Sequence, residues 1–150
     1  MAPNAASDSR LKVVAHGRNG TLYKGFLEAP ANNLAIADGV LERWFTPAFR
    51  TTDPVAVELT RQMLLSSPVE GYTACCAAVR DMDAREAISR IQLPVLVISG
   101  THDPVTTPQD GKFMRDAIPG AEYKELPAAH LSNVEVEEGF TMEVSRFLKA

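Results

Sequence analysis

The run Val95-Leu96-Val97-Ile98 constrains this chain more than any other segment. Four consecutive apolar residues, three of them β-branched, follow Leu93-Pro94 and lead into Ser99-Gly100. A continuous apolar run of this kind reads as a strand buried on both faces, the pattern of a parallel sheet. The segments after it alternate to match. A helix is expected over Pro108–Ile118, a turn at Pro119-Gly120 and a second strand over Ala121–Leu126. An amphipathic helix over Glu137–Leu148 closes the chain, with Phe140, Val144, Phe147 and Leu148 on its apolar face. Strand–helix–strand–helix is an α/β architecture.

The sequence before this run has a different character. Residues 1–9 read as a loose tail, and Leu11–Ala15 as a short strand. Residues 16–33, with Gly17, Gly20, Gly25, Pro30 and Asn32-Asn33, are turn-rich and take no firm assignment. From Leu34 the spacing becomes helical: Leu34, Ile36, Val40, Leu41, Trp44 and Phe45 form a stripe that stops near Pro47. Asp53-Pro54 is a helix start, an N-cap acid followed by proline at the first position. Val57, Leu59, Met63 and Leu64 are then expected to line one face. Ser67-Pro68-Val69-Glu70 repeats the start signal, with Ser67 as the cap of a helix running to about Arg80. Asp83–Arg90 reads as one more short helix. The chain thus divides into an uncertain segment at 1–33, a compact helical segment at 34–80 and an α/β segment at 81–150.

Composition narrows the class. The chain has 150 residues, 45% hydrophobic and 23% charged, the balance of one globular domain with one modest core. A net charge of −4 with no basic cluster argues against nucleic acid. No apolar run approaches the roughly 20 residues that span a bilayer, and Met1–Ser9 lacks the apolar core of a secretion signal. The adjacent Cys75 and Cys76 are expected to be a free, buried, reduced pair. No Cys/His cluster suggests a metal, and no cofactor is implied. These features together favour the cytoplasm.

Two residues carry chemistry. Asp103 follows the buried strand in Gly100-Thr101-His102-Asp103-Pro104, and His130 follows the next strand in Pro127-Ala128-Ala129-His130-Leu131-Ser132. An acid after one strand and a histidine after the next are the last two members of a Ser…Asp…His arrangement in chain order. From the residues alone, Asp103 reads equally well as a turn or helix cap. No Gly-x-Ser-x-Gly turn, the usual carrier of the nucleophile, occurs anywhere in the sequence. His102 reads as a surface residue and His16 as a solvated one.

Four segments resemble the 3-oxoadipate enol-lactonases, α/β-hydrolases of the β-ketoadipate route of aromatic degradation. They are Val40-Leu41-Glu42-Arg43-Trp44-Phe45-Thr46, Glu70-Gly71-Tyr72-Thr73-Ala74-Cys75-Cys76-Ala77-Ala78, Gly100-Thr101-His102-Asp103 and His130-Leu131-Ser132-Asn133-Val134-Glu135. The similarity covers about residues 34–148. It implies a partial α/β-hydrolase fold: a short, mainly parallel sheet with flanking helices, and a helical cap at about 34–80. The family's oxyanion-hole loop and nucleophile turn have no counterpart, and residues 16–33 depart from its pattern.

The resemblance implies that Asp103 and His130 are the acid and base of the triad, acting on a small lactone or ester. It also raises Arg43 and Trp44 as a clamp for a substrate carboxylate. The plainer alternative puts Trp44 in the core and Arg43 in solvent. Ser99, Ser132, Ser66, Ser67, Cys75 and Cys76 are poor substitutes for the nucleophile. Ser99 lacks the sharp exposing turn, and an apolar helix raises a thiol's pKa. A sheet lacking its middle strands presents an open edge, so self-association or a complementary fragment is the expected partner. Three readings therefore stand: a hydrolase, an incomplete partner-binding fragment, and a module that binds a small acid without turning it over.

Overall fold

The structure, a computed structural model, describes residues 13–15 and 34–149. The tail, the turn-rich segment and His16 lie outside the described residues. The elements are β1 (Val13–Ala15), α1 (Leu34–Trp44), α2 (Pro47–Thr52), α3 (Pro54–Ser66), α4 (Val69–Asp81), α5 (Arg85–Ile88), β2 (Val95–Gly100), α6 (Pro108–Ala117), β3 (Glu122–Leu126), α7 (Ser132–Glu135) and α8 (Glu137–Lys149).

The expected buried strand is β2, the centre of a three-stranded sheet of order β1-β2-β3. Both pairings are parallel, with Val13 opposite Val95 on one side and Leu96 opposite Glu122 on the other. All six residues of β2 are buried, as its unbroken apolar run requires. Its two faces feed different clusters. Leu96 and Ile98 pack with Leu126 and Phe147, backed by Phe140 and Val144 of α8. Val95 and Val97 pack with Ile118 at the end of α6. Residues alternate across a strand, so these two sets face opposite sides of the sheet.

Helix α6 lies unusually close to β2. A Cβ on Gly111 would stand 2.1 Å from Ser99 Oγ and 2.9 Å from Tyr123 Cε2, so only glycine allows this approach. Thr107 starts the helix with a capping box: its hydroxyl accepts from Asp110 N, and the Asp110 carboxylate accepts from Thr107 N.

Helices α1, α3 and α4 share a core of their own. Ala37, Val40 and Leu64 are buried together, with Ile36, Trp44 and Tyr72 packed against them. Asp53 caps α3 as its sequence predicts, accepting from Ala56 N at 3.0 Å. The apolar residues of α3 do not share one face. Only Leu64 is buried, whereas Leu59 and Met63 are 58% and 71% exposed. At about 100° per residue, Val57 and Leu64 share one stripe while Leu59 and Met63 fall on the opposite one.

Other expectations are corrected in the same way. Helix α2, which the sequence reading did not assign, begins at Pro47 just past the end of the α1 stripe, because Thr46 accepts from Phe49 N and Pro47 occupies the first position. Ser67 does not cap α4. Its hydroxyl turns back to Met63 O, it ends α3, and Pro68 precedes α4 without a side-chain cap. Of the cysteine pair, only Cys76 is buried and Cys75 is exposed. Leu148, at the margin of the α8 stripe, is 55% exposed. The expected helix over 83–90 shortens to α5, with the Asp83 carboxylate accepting from Arg85 N ahead of it.

Candidate active site

The loops after β2 and β3 are joined before either functional side chain is placed. Parallel pairing continues past the strand ends: Thr101 N donates to Leu126 O at 2.8 Å and His102 N to Ala128 O at 2.9 Å. Gly100 permits this, since a Cβ there would lie 2.2 Å from Ala129 O and 2.5 Å from Ala128 O. The turn carrying Asp103 and the loop carrying His130 therefore cross backbone against backbone.

Asp103 divides its two oxygens between structure and chemistry. Oδ1 accepts from Val105 N at 2.7 Å and Thr106 N at 3.0 Å, which closes the turn. Oδ2 accepts from Thr106 Oγ1 at 2.6 Å and lies 2.8 Å from His130 Nδ1. The cap reading and the His-partner reading of Asp103 thus describe the same carboxylate. Its side chain is 1% exposed and that of His130 is 20% exposed. Burial alone would push the Asp103 carboxyl up. Hydrogen bonds from His130 and Thr106 outweigh that and hold it below the usual carboxylate range. With Nδ1 donating to the carboxylate, neutral His130 has its lone pair on Nε2, the tautomer a general base needs.

Trp44, at the end of α1, stacks on the His130 ring with centroids 6.2 Å apart and planes 25° from parallel. It also packs against the α1–α3 cluster, so it is both a core residue and a neighbour of the site. Arg43 takes a different direction, as adjacent helical residues must. It borders a cavity of about 540 Å³ together with Glu42, Phe45, His102, Pro104 and Ala129. That cavity adjoins the Asp103 and His130 loops without including either side chain. His102 is exposed, as expected.

The alternative hydroxyls and thiols are placed elsewhere. Ser99 is buried beneath Gly111 of α6. Ser132 is fully buried. Ser66 and Ser67 bond to Met63 O. Burial pushes the Cys76 thiol up, the wrong direction for a thiolate.

Two residues at this site were not anticipated from sequence. Thr106 bridges Asp103 and His130, lying 3.3 Å from Nδ1. Its signal was available: a hydroxyl three residues after an aspartate in a turn is placed to bond back to it. Glu135 is the other. Its carboxylate accepts from Ala129 N at 2.9 Å, from Thr46 N at 3.3 Å and from Thr46 Oγ1.

No family model matches the sequence. Individual relatives do. The chain is 41% identical over 114 residues to 3-oxoadipate enol-lactonase 2 of Acinetobacter baylyi, covering 76% of this chain and 43% of that protein. It is 37% identical over 121 residues to 3-oxoadipate enol-lactonase 1 of the same organism, covering 80% and 46%. Among solved structures, the enol-lactonase from Burkholderia xenovorans LB400 superposes with a TM-score of 0.86 at 35% identity, over 93% of this chain and 56% of that one. The chain spans about half the length of the curated relatives it matches. It has an α/β-hydrolase fold and is similar, over that half, to the 3-oxoadipate enol-lactonases.

Proposed function

We propose that this chain supplies the acid–base half of an enol-lactonase-type hydrolase acting on a small lactone or ester. The carrying observation is the 2.8 Å contact of His130 Nδ1 with a nearly inaccessible Asp103 carboxylate at the carboxyl end of the central strand. In this reading a serine hydroxyl attacks the carbonyl carbon and His130 Nε2 takes its proton. Asp103 holds the tautomer and stabilises the imidazolium. His130 then returns the proton to the departing ring oxygen. Next it takes a proton from the water that cleaves the acyl–serine bond, releasing the ring-opened acid and restoring the serine.

The serine and its oxyanion hole come from a complementary segment in this reading. Strand β1 pairs with β2 on one side, and within the described sheet its other edge is open, which suits the addition of a further parallel strand. Residues 34–80 act as the cap, and Arg43 on the neighbouring cavity wall binds a substrate carboxylate while Trp44 backs the base. We place the protein in the cytoplasm. No helix among the described residues is long and apolar enough to cross a membrane.

The test is hydrolysis of an enol-lactone, or of p-nitrophenyl acetate, by the chain mixed with the serine-bearing N-terminal part of the Acinetobacter enol-lactonase. Turnover that needs both components and is lost in His130→Ala and in Asp103→Asn supports the proposal. Turnover that survives both substitutions removes the pair from the mechanism.

A further inference from the structure

We propose that Glu135 is the positioning residue that seats His130 between Trp44 and Asp103; the inference rests on reading His130 as the base. The loop around His130 is tied to the α1–α2 junction on both sides of the imidazole. Before it, Ala129 N donates to Glu135 Oε2, which also accepts from Thr46 N. After it, Leu131 N donates to Trp44 O at 3.1 Å. Thr46 Oγ1 donates to Glu135 Oε1 while accepting from Phe49 N, so this one hydroxyl both starts α2 and completes the clasp.

Trp44 stands two residues from Thr46, and His130 one residue from Ala129. The carboxylate therefore fixes the separation of the two stacked rings through short, backbone-level links. Three donors converge on it, two backbone N–H groups on Oε2 and the Thr46 hydroxyl on Oε1. A methionine of similar length offers an oxygen acceptor to none of the three. Asp103 holds the same ring from the other side through Nδ1, so the base is fixed by two carboxylates with different tasks. Asp103 sets the tautomer and Glu135 sets where the ring stands.

The sequence contains a single tryptophan, Trp44, and this makes the seating measurable without turnover. A protonated imidazole stacked on an indole quenches its fluorescence. The charged and titratable groups around the ring are Asp103 from the β2 loop on Nδ1, Glu135 from α7 on the neighbouring Ala129 N, and Glu42, Arg43 and His102 on the adjacent cavity. Emission of the intact chain is therefore expected to fall when acidification protonates His130, and His130→Gln to abolish that step. Losing a charge-assisted hydrogen bond shifts a docked–undocked equilibrium about tenfold. Glu135→Met is expected to remove most of the step while the far-UV spectrum is kept.

Thr46→Val, which removes one donor and leaves Glu135 in place, should shrink the step, and Thr46→Ser should restore it. These two variants carry the test if Glu135→Met does not fold. A full-sized step in Glu135→Met, or in Thr46→Val, overturns the proposal. So does a wild-type titration with no His130-dependent step, since the rings would then not be seated together. Failure of the hydrolase reading shows separately, as turnover indifferent to His130→Ala beside an intact fluorescence step.

Discussion

At the scale of single residues, Asp103 commits both of its carboxylate oxygens. It closes its own turn, takes the Thr106 hydroxyl and meets His130. Its carboxyl is held below the usual range, so the folded state binds that proton less readily than the unfolded chain. The stabilisation is therefore complete above the unfolded carboxyl value of about 3.9 and is lost as pH falls through the lower folded value. Urea denaturation of wild type and Asp103→Asn should show a gap that is constant near neutrality and closes in acid; a gap that widens in acid would contradict the assignment. Thr106→Val removes a buried hydroxyl that bonds Oδ2 and lies beside Nδ1. It should cost roughly 1–3 kcal/mol in the same measurement, the cost of leaving a buried polar group short of a partner.

At the scale of elements, close backbone approach sets the tolerances. Gly111→Ala drives a methyl into Ser99 Oγ and Tyr123 Cε2 and should destabilise by about 1–3 kcal/mol. Ser99→Ala in the same molecule should recover part of that, because the nearest atom is then gone. Gly100→Ala meets carbonyl oxygens that no rotamer change can move, and its denaturation midpoint should fall further than that of Gly111→Ala. Much of this layer was legible in the sequence. The unbroken run Val95–Ile98 fixed the central strand, and Asp53-Pro54 fixed the start of α3. Thr46-Pro47 carried the same cap-then-proline signal, but there it was masked by the end of the α1 stripe. Leu59 and Met63 were misplaced because hydrophobic residues were counted without their angle around the helix axis. Thr106 was legible three residues after Asp103 in one turn, though its approach to His130 needs the fold. Glu135 was invisible for a physical reason: Thr46 lies 89 residues away on another element, and only the fold brings them together.

At the scale of the whole molecule, the sheet is short and its outer strand β1 is paired on one side among the described residues. Sedimentation velocity of the chain alone should show concentration-dependent association, relieved by the serine-bearing segment of a relative; a monomer at every concentration would count against the open-edge reading. The crossing at Gly100 has a further consequence. The turn carrying Asp103 and the loop carrying His130 are welded by Thr101 N to Leu126 O and His102 N to Ala128 O, with no side chain in the joint. Asp103 and His130 can therefore be displaced or transplanted only together, as one rigid cassette. On the proposed reading, drift in substrate preference enters most freely through Glu42 and Arg43 of α1, which line the cavity outside that joint.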